Sequence, residues 1–272
     1  MNQNPLIGHS QLYDQLIKSL RGEKRAHAYL FAGPDNVGKR TVAERLCVGL
    51  GVVERIVLDS QGDPDSAGRR DIVIEEVRNL RTALSTTALA GAGVRAVILD
   101  RVDDLTEPAA NALLKILEEP PPQTLFFLIA SSLDRVLGTI CSRAAVVRFR
   151  LVPDSTLREH GFVDADVLAM AAGRPGVAIS VHHDQKLRER FGVIAGLCAG
   201  QDASVSGRLL ALSPVGKDDC DGVEAYLQRN IRIVGVGQYE HIRKLYETLI
   251  ASREYIAGKV SPETAFDLIK LC

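Results

Sequence analysis

The sequence predicts an α/β fold in which a five-stranded parallel sheet is covered by helices on both faces, followed by purely helical chain. Three observations predict it. Five short runs read as strands with apolar centres: AYLFA (28–32), ERIVLD (54–59), RAVILD (95–100), LFFLIA (125–130) and AVVRF (145–149). Helical stretches separate each pair, and strands apolar on both faces that alternate with helices make a parallel sheet covered on two sides. From about residue 150 onward the strand-like runs stop and only helical periodicity remains.

Taken in order, Leu12, Leu16, Ile17 and Leu20 mark an amphipathic helix after a Ser10 cap. AYLFA then ends in Gly-Pro and reads as a buried strand feeding a loop. A helix runs from Lys39 to about Leu50, the second strand follows, and residues 59–70 form a polar loop. Ile74, Val77, Leu80 and Leu84 mark the next helix. After the third strand, Thr106 can cap a helix through EPAANALLKILEE, with Pro108 tolerated in its first turn and the triple proline 120–122 stopping it. Beyond RLVPDS, the stretch DADVLAMAAGRPGVAISV reads as a helix, a Gly-Arg-Pro-Gly break and another helix. Periodic apolar residues such as Ile242, Leu245, Tyr246, Leu249 and Ile250 continue the helical pattern. The expected organisation is an α/β domain over 1–150, a small helical piece over 151–184 and a helical C-terminal domain over 185–272.

The totals exclude several classes. With 46% hydrophobic and 25% charged residues, the 272-residue chain can bury a core. A formal charge of -1 gives no global basic bias, so nucleic-acid binding cannot be argued from charge. No apolar run approaches the roughly 20 residues that span a bilayer, and the N-terminus lacks a signal layout, so no membrane is expected and a cytoplasmic location is. The five cysteines, Cys47, Cys141, Cys198, Cys220 and Cys272, include no C-x-x-C pair. Reduced thiols are expected, with no zinc and no other metal cluster. The adjacent His182 and His183 do not have a metal spacing, His27 is expected to pack on the N-terminal helix, and KLRERF reads as a solvated helix face.

The chemistry-bearing stretch is HAYLFAGPDNVGKRTVAERL (27–46). Gly33, Gly38 and Lys39 complete G-x-x-x-x-G-K between a strand and a helix, the context that makes a P-loop. Gly33, Pro34, Gly38, Lys39, Arg40, Thr41 and Asp100 are the candidate nucleotide-binding residues. Backbone N–H groups at the helix start favour an anion, and the lysine reaches the β- and γ-phosphates. Two parts needed for hydrolysis are missing. The hydroxyl that should follow the lysine and hold Mg²⁺ is replaced by Arg40, and Thr41 is rotated by roughly 100° along a helix. Asp100 ends the third strand where a Mg²⁺ partner belongs, but Arg101 follows it, and a guanidinium with pKa above about 12 is no base. Each loss removes a factor of about 10² to 10⁴. Asp103 and Asp104 lie two and three residues beyond Arg101. Two ways to keep activity stay open: Arg40 accommodating ATP without Mg²⁺, or Asp103 serving as base.

Together HAYLFAGPDNVGKRTVAERL, VRAVILDRVDDLTEPAANALLKILEEPPPQTLFFLIASS and TICSR resemble the clamp-loader AAA+ family, which includes the gamma/tau and delta-prime subunits of bacterial DNA polymerase III and the subunits of replication factor C. The likeness is strong over residues 5–150. AMAAGRPGVAI resembles the family's lid motif, and the helical tail is compatible with its collar domain. The resemblance implies an AAA+ P-loop domain, a helical lid domain and a helical collar. Gly-Lys-Arg-Thr and Asp100-Arg101 look like the delta-prime type, whose site does not hydrolyse, rather than the gamma/tau motors. The four-cysteine zinc module of many relatives is absent.

By the same resemblance TICSRA carries the Ser-Arg-Cys motif with Ala144 in place of cysteine. Arg143 is then the arginine finger that enters a neighbour's ATP site in trans, a role worth about 10³ to 10⁵ in rate. Ser131 and Ser132 stand at the γ-phosphate sensor position, with capping of the strand end as the alternative. Arg174 reads as a lid-surface residue. The expected function is a stator within the DNA polymerase III holoenzyme, with ATP or ADP at most held without hydrolysis. Its expected partners are gamma/tau and delta subunits, the sliding clamp and, through the assembled complex at the nucleoid, primer–template DNA. The rival readings are an active gamma/tau-like ATPase and a P-loop regulatory module outside replication.

Overall fold

The computed structural model describes residues 6–22, 25–59, 72–86, 93–185 and 188–189. The chain divides into two compact units, Met1–Val152 and Pro153–Cys272. The expected C-terminal domain, with its helix around Ile242 to Ile250 and with Cys198, Cys220 and Cys272, lies outside the described residues except for 185, 188 and 189.

In the first unit, α1 (Ser10–Arg21) precedes β1 (Ala28–Ala32), α2 (Lys39–Gly49), β2 (Glu54–Leu58), α3 (Ile74–Thr86), β3 (Arg95–Asp100), α4 (Glu107–Glu118), β4 (Thr124–Ala130), α5 (Gly138–Cys141) and β5 (Ala145–Arg148). The five strands form one parallel sheet in the order β2-β3-β4-β1-β5. The three inner strands β1, β3 and β4 are buried almost end to end, whereas the edge strands β2 and β5 are only partly covered. Alternate side chains leave a strand on opposite faces, and the core divides accordingly. Leu30, Leu99, Phe126 and Leu128 pack with Val77, Leu80, Leu113 and Leu117 from α3 and α4. Tyr29, Phe31, Ile98 and Phe127 pack with Leu16, Leu20 and Leu46 from α1 and α2.

Local chemistry explains most boundaries. Thr106 caps α4, its hydroxyl accepting from the Ala109 N–H at 3.4 Å, and Pro108 sits in the first turn, where no N–H is needed. Ser10 is not a cap. It is the first helical residue, and His9 precedes it without a side-chain cap. The ring of His9 instead lies edge-on to Phe149. The Nε2 of His27 lies 3.0 Å from the Leu117 carbonyl at the end of α4. Between β4 and β5 the helical connection is short, a 3₁₀ turn (Leu133–Arg135) and the four-residue α5.

The second unit contains α6 (Asp154–Glu159), α7 (Ala165–Ala171) and α8 (Pro175–His183). Helix α6, opened by Pro153, was not anticipated. The Gly-Arg-Pro-Gly break ends α7 through Ala172 and Gly173, both at positive φ, and starts α8 with proline in its first turn. Arg174 is half-buried rather than a surface residue. Arg188 is only partly exposed and donates to the carbonyls of Val181 and His182, the last turn of α8, so it closes a helix end instead of facing solvent freely.

Candidate functional site

The P-loop connects β1 to α2 at the C-terminal edge of the sheet, where open α/β folds place their ligands. Gly33 has φ +152 and approaches the end of β5 so closely that an added Cβ would stand 2.3 Å from the Phe149 carbonyl oxygen. Gly38 adopts φ +97 just before α2, with open space where a Cβ would be. The backbone frame is therefore that of a phosphate loop.

Its cations are already engaged. Lys39 is buried, and its Nζ donates to the carbonyls of Gly33 at 2.6 Å and Pro34 at 2.7 Å and lies 3.5 Å from Asp35 Oδ1. An ammonium has three N–H donors, and these three oxygens can take them all. Burial lowers its pKa, against the opposing pull of Asp35. Arg40 reaches three carboxylates: Nε to Glu44 at 3.2 Å, and Nη1 to Asp59 at 3.3 Å and Asp100 at 3.4 Å. Burial alone would lower its pKa, but Glu44, Asp100 and Asp59 outweigh that and raise it. Asp100 lies above the usual carboxylate range because its burial outweighs the attraction of Arg40 and Lys39.

The neighbouring arginine is likewise committed. Arg101, at φ 66, donates through Nε to Asp104 at 2.9 Å and lies 3.4 Å from Asp35. Asp103 and Asp104 are buried. Oδ2 of Asp103 accepts from both the backbone N–H (3.1 Å) and the hydroxyl of Ser131, while Arg135 pairs with both aspartates. Ser131 is thus held by Asp103, and Ser132 caps the following turn by accepting from the Asp134 N–H at 3.3 Å.

A P-loop implies a nucleotide and Mg²⁺. The glycine frame fits a polyphosphate. The donor set does not fit the metal: the position after Lys39 supplies a guanidinium where an oxygen is needed, and that guanidinium sits on the carboxylate expected to hold the ion. Among the described residues no group of three or more His, Cys, Asp or Glu could hold a metal ion.

Arg143 stands apart from this cluster. It follows α5 with its side chain 35% exposed, and donates to Glu118 at 2.6 Å and to the Thr139 carbonyl at 3.0 Å. An exposed pair of this kind is worth about 0.2–1 kcal/mol.

The structure sets Arg40 3.4 Å from Asp100, with Lys39 near enough to act on the same carboxylate. It adds partners that sequence reasoning missed: Asp35, Glu44, Asp59, Glu118 and Arg135. Glu44 was legible as the i+4 neighbour of Arg40. Asp59 becomes legible once β2 is known to pair with β3, because the register Leu58 with Leu99 sets Asp59 beside Asp100. Asp35, Glu118 and Arg135 had no sequence signal.

Comparison with known proteins places this geometry. Residues 53–153 match the family described as DNA polymerase III, delta subunit. Over 206 residues the chain is 31% identical to the DNA polymerase III subunit delta' of Pseudomonas aeruginosa, an alignment covering 64% of this chain and 61% of that protein. By sequence the chain is similar to delta-prime subunits of DNA polymerase III. The chain is also 30% identical over 170 residues to the gamma/tau subunit of Mycobacterium tuberculosis, covering 56% of the chain but 29% of that longer protein. It therefore spans under a third of the gamma/tau relative. A gamma subunit-related protein from Thermotoga maritima superposes with a TM-score of 0.51 at 21% identity, covering 86% of this chain and 77% of that one, which supports the AAA+ fold alone. No described helix is long and apolar enough to cross a membrane.

Proposed function

We propose that this delta-prime-like chain is a non-hydrolysing stator of a DNA polymerase III clamp loader, and that it lends Arg143 to the ATP site of a neighbouring gamma/tau subunit. Identity does not separate delta-prime from gamma/tau, since the values are 31% and 30%. The site chemistry supports the delta-prime reading. The observation that carries the reading is the guanidinium of Arg40 on Asp100, 3.4 Å away. The carboxylate that would orient a metal is bound to a cation that can neither coordinate phosphate oxygens as a Lewis acid nor leave by deprotonation. Arg101 occupies the position of the water-activating carboxylate and is tied to Asp104. ATP or ADP held by the glycine frame would stay intact.

Arg143 suits a role in trans. Its pairing with Glu118 is weak enough to exchange for a triphosphate, whose charge-assisted contacts are stronger than an exposed ion pair. Gamma/tau and delta subunits, the sliding clamp and primer–template DNA are the partners this reading requires, with a cytoplasmic, nucleoid-associated location.

Turnover assays on the purified chain and on an assembly with gamma/tau, delta and clamp test the reading. The chain alone should release no phosphate above background. In the assembly, Arg143→Ala should slow hydrolysis at the adjacent gamma/tau site by about 10³-fold or more. Steady turnover by the chain alone, or an assembly insensitive to Arg143→Ala, would refute it.

A further inference from the structure

We propose that Arg40 is a built-in replacement for the divalent cation that this loop frame ordinarily recruits: its guanidinium neutralises Asp59 and Asp100 and so keeps Mg²⁺ and Mn²⁺ out of the P-loop. This deepens the non-hydrolysing reading and rests on the same loop. The strand register explains why a cation is needed. β2 and β3 pair in parallel and each leads into an aspartate, so Asp59 and Asp100 emerge side by side at the C-terminal edge of the sheet. Glu44, one turn along α2 from Arg40, adds a third carboxylate. Asp59 and Asp100 meet the same Nη1, and two carboxylates side by side repel one another unless a cation lies between them.

Arg40 lies between them, with contacts of 3.2, 3.3 and 3.4 Å. Its contacts are longer than the roughly 2.7–2.9 Å of an optimal charge-assisted bond, so no single pair dominates and the guanidinium is shared. The planar fork can face more than one carboxylate at once, as a hydrated Mg²⁺ does. Unlike a metal, it cannot be chelated or exchanged. A divalent ion could reach these oxygens only by displacing Arg40, and would then stand beside the cations of both Arg40 and Lys39.

The test uses the full chain without nucleotide or partner subunits. Mn²⁺ uptake is followed by electron paramagnetic resonance, and the thermal midpoint is compared in MgCl₂ and in KCl of matched ionic strength. The native chain should bind Mn²⁺ no tighter than about 1 mM and respond equally to both salts. Arg40→Ser should bind one Mn²⁺ at least about tenfold tighter and gain stability from MgCl₂ alone. Adding Asp100→Asn to Arg40→Ser should abolish both gains. Native binding as tight as that of Arg40→Ser overturns the proposal, as does a folded Arg40→Ser that takes up no Mn²⁺. Should Arg40→Ser unfold, recovery of its circular dichroism by MgCl₂ but not KCl supports the replacement. Failure of MgCl₂ to restore either Arg40→Ser or the longer Arg40→Gln overturns it. Because nucleotide and neighbours are absent, failure here leaves the Arg143 reading standing, and failure of that reading leaves this one standing.

Discussion

The proposed lack of hydrolysis raises the question of why the loop keeps its glycines, and one substitution at three positions tests the answer. Gly33→Ala would place a methyl group 2.3 Å from the Phe149 carbonyl oxygen, 3.0 Å from its carbonyl carbon and 3.1 Å from its Cβ. Ordinary carbon–oxygen contacts lie near 3.3 Å, so the backbones must part by about 1 Å. Phe149 cannot yield easily. Its N–H donates to the Ala32 carbonyl at 2.8 Å, and its ring packs against Phe31 and His9. Overpacking of about 1–3 kcal/mol and backbone strain of about 1–3 kcal/mol at φ +152 give about 2–6 kcal/mol of destabilisation. Gly38→Ala meets nothing within 4 Å but holds φ +97, so only conformational strain of about 1–2 kcal/mol applies. Gly138, at the start of α5, has neither a positive φ nor a near neighbour, and alanine there should stabilise by up to about 1 kcal/mol. Urea unfolding of the chain without nucleotide, followed by far-ultraviolet circular dichroism, reads all three. Were Gly33 retained only for phosphate, its replacement would be silent in this assay. A Gly33→Ala within about 0.5 kcal/mol of native, or milder than Gly38→Ala, refutes the steric argument.

Two further outcomes follow from buried groups. Ser131→Ala removes a hydroxyl donor from Asp103, whose Oδ1 already has no hydrogen-bond partner, and should destabilise by about 1–3 kcal/mol in the same assay; a change below about 0.3 kcal/mol would show that Asp103 does not hold the serine. Cys47 is buried, which pushes its thiol from 9.0 up to about 11. The folded chain then keeps a proton that the unfolded chain has lost, so this contribution is whole below pH 9 and fades as pH rises toward 11, by at most about 2.7 kcal/mol. Lys39, whose pKa burial lowers, works in the opposite direction at high pH. The measurement is therefore the stability difference between native and Cys47→Ala under reducing conditions, which should shrink across that interval; a constant difference refutes the burial argument.

The sequence by itself determined the sheet, because AYLFA, RAVILD and TLFFLIA are apolar on both faces and only burial between two helical layers satisfies them. It also showed a P-loop frame with arginine at positions 40 and 101, since those identities depend on neighbours in the chain. The start of α1 was misread because a serine near a helix start serves as a cap only when the backbone leaves it outside the first turn, and here His9 holds that place. Which carboxylates face Arg40 was not legible. Asp59 and Asp100 are 41 positions apart along the chain, and the pairing of β2 with β3 sets them side by side. The pairing of Ser131 with Asp103 and of Arg143 with Glu118 arose in the same way, from elements that meet only once the sheet and its helices are packed. Local patterning sets the elements, but the neighbours of a charge, and therefore what that charge can still bind, are set by long-range packing.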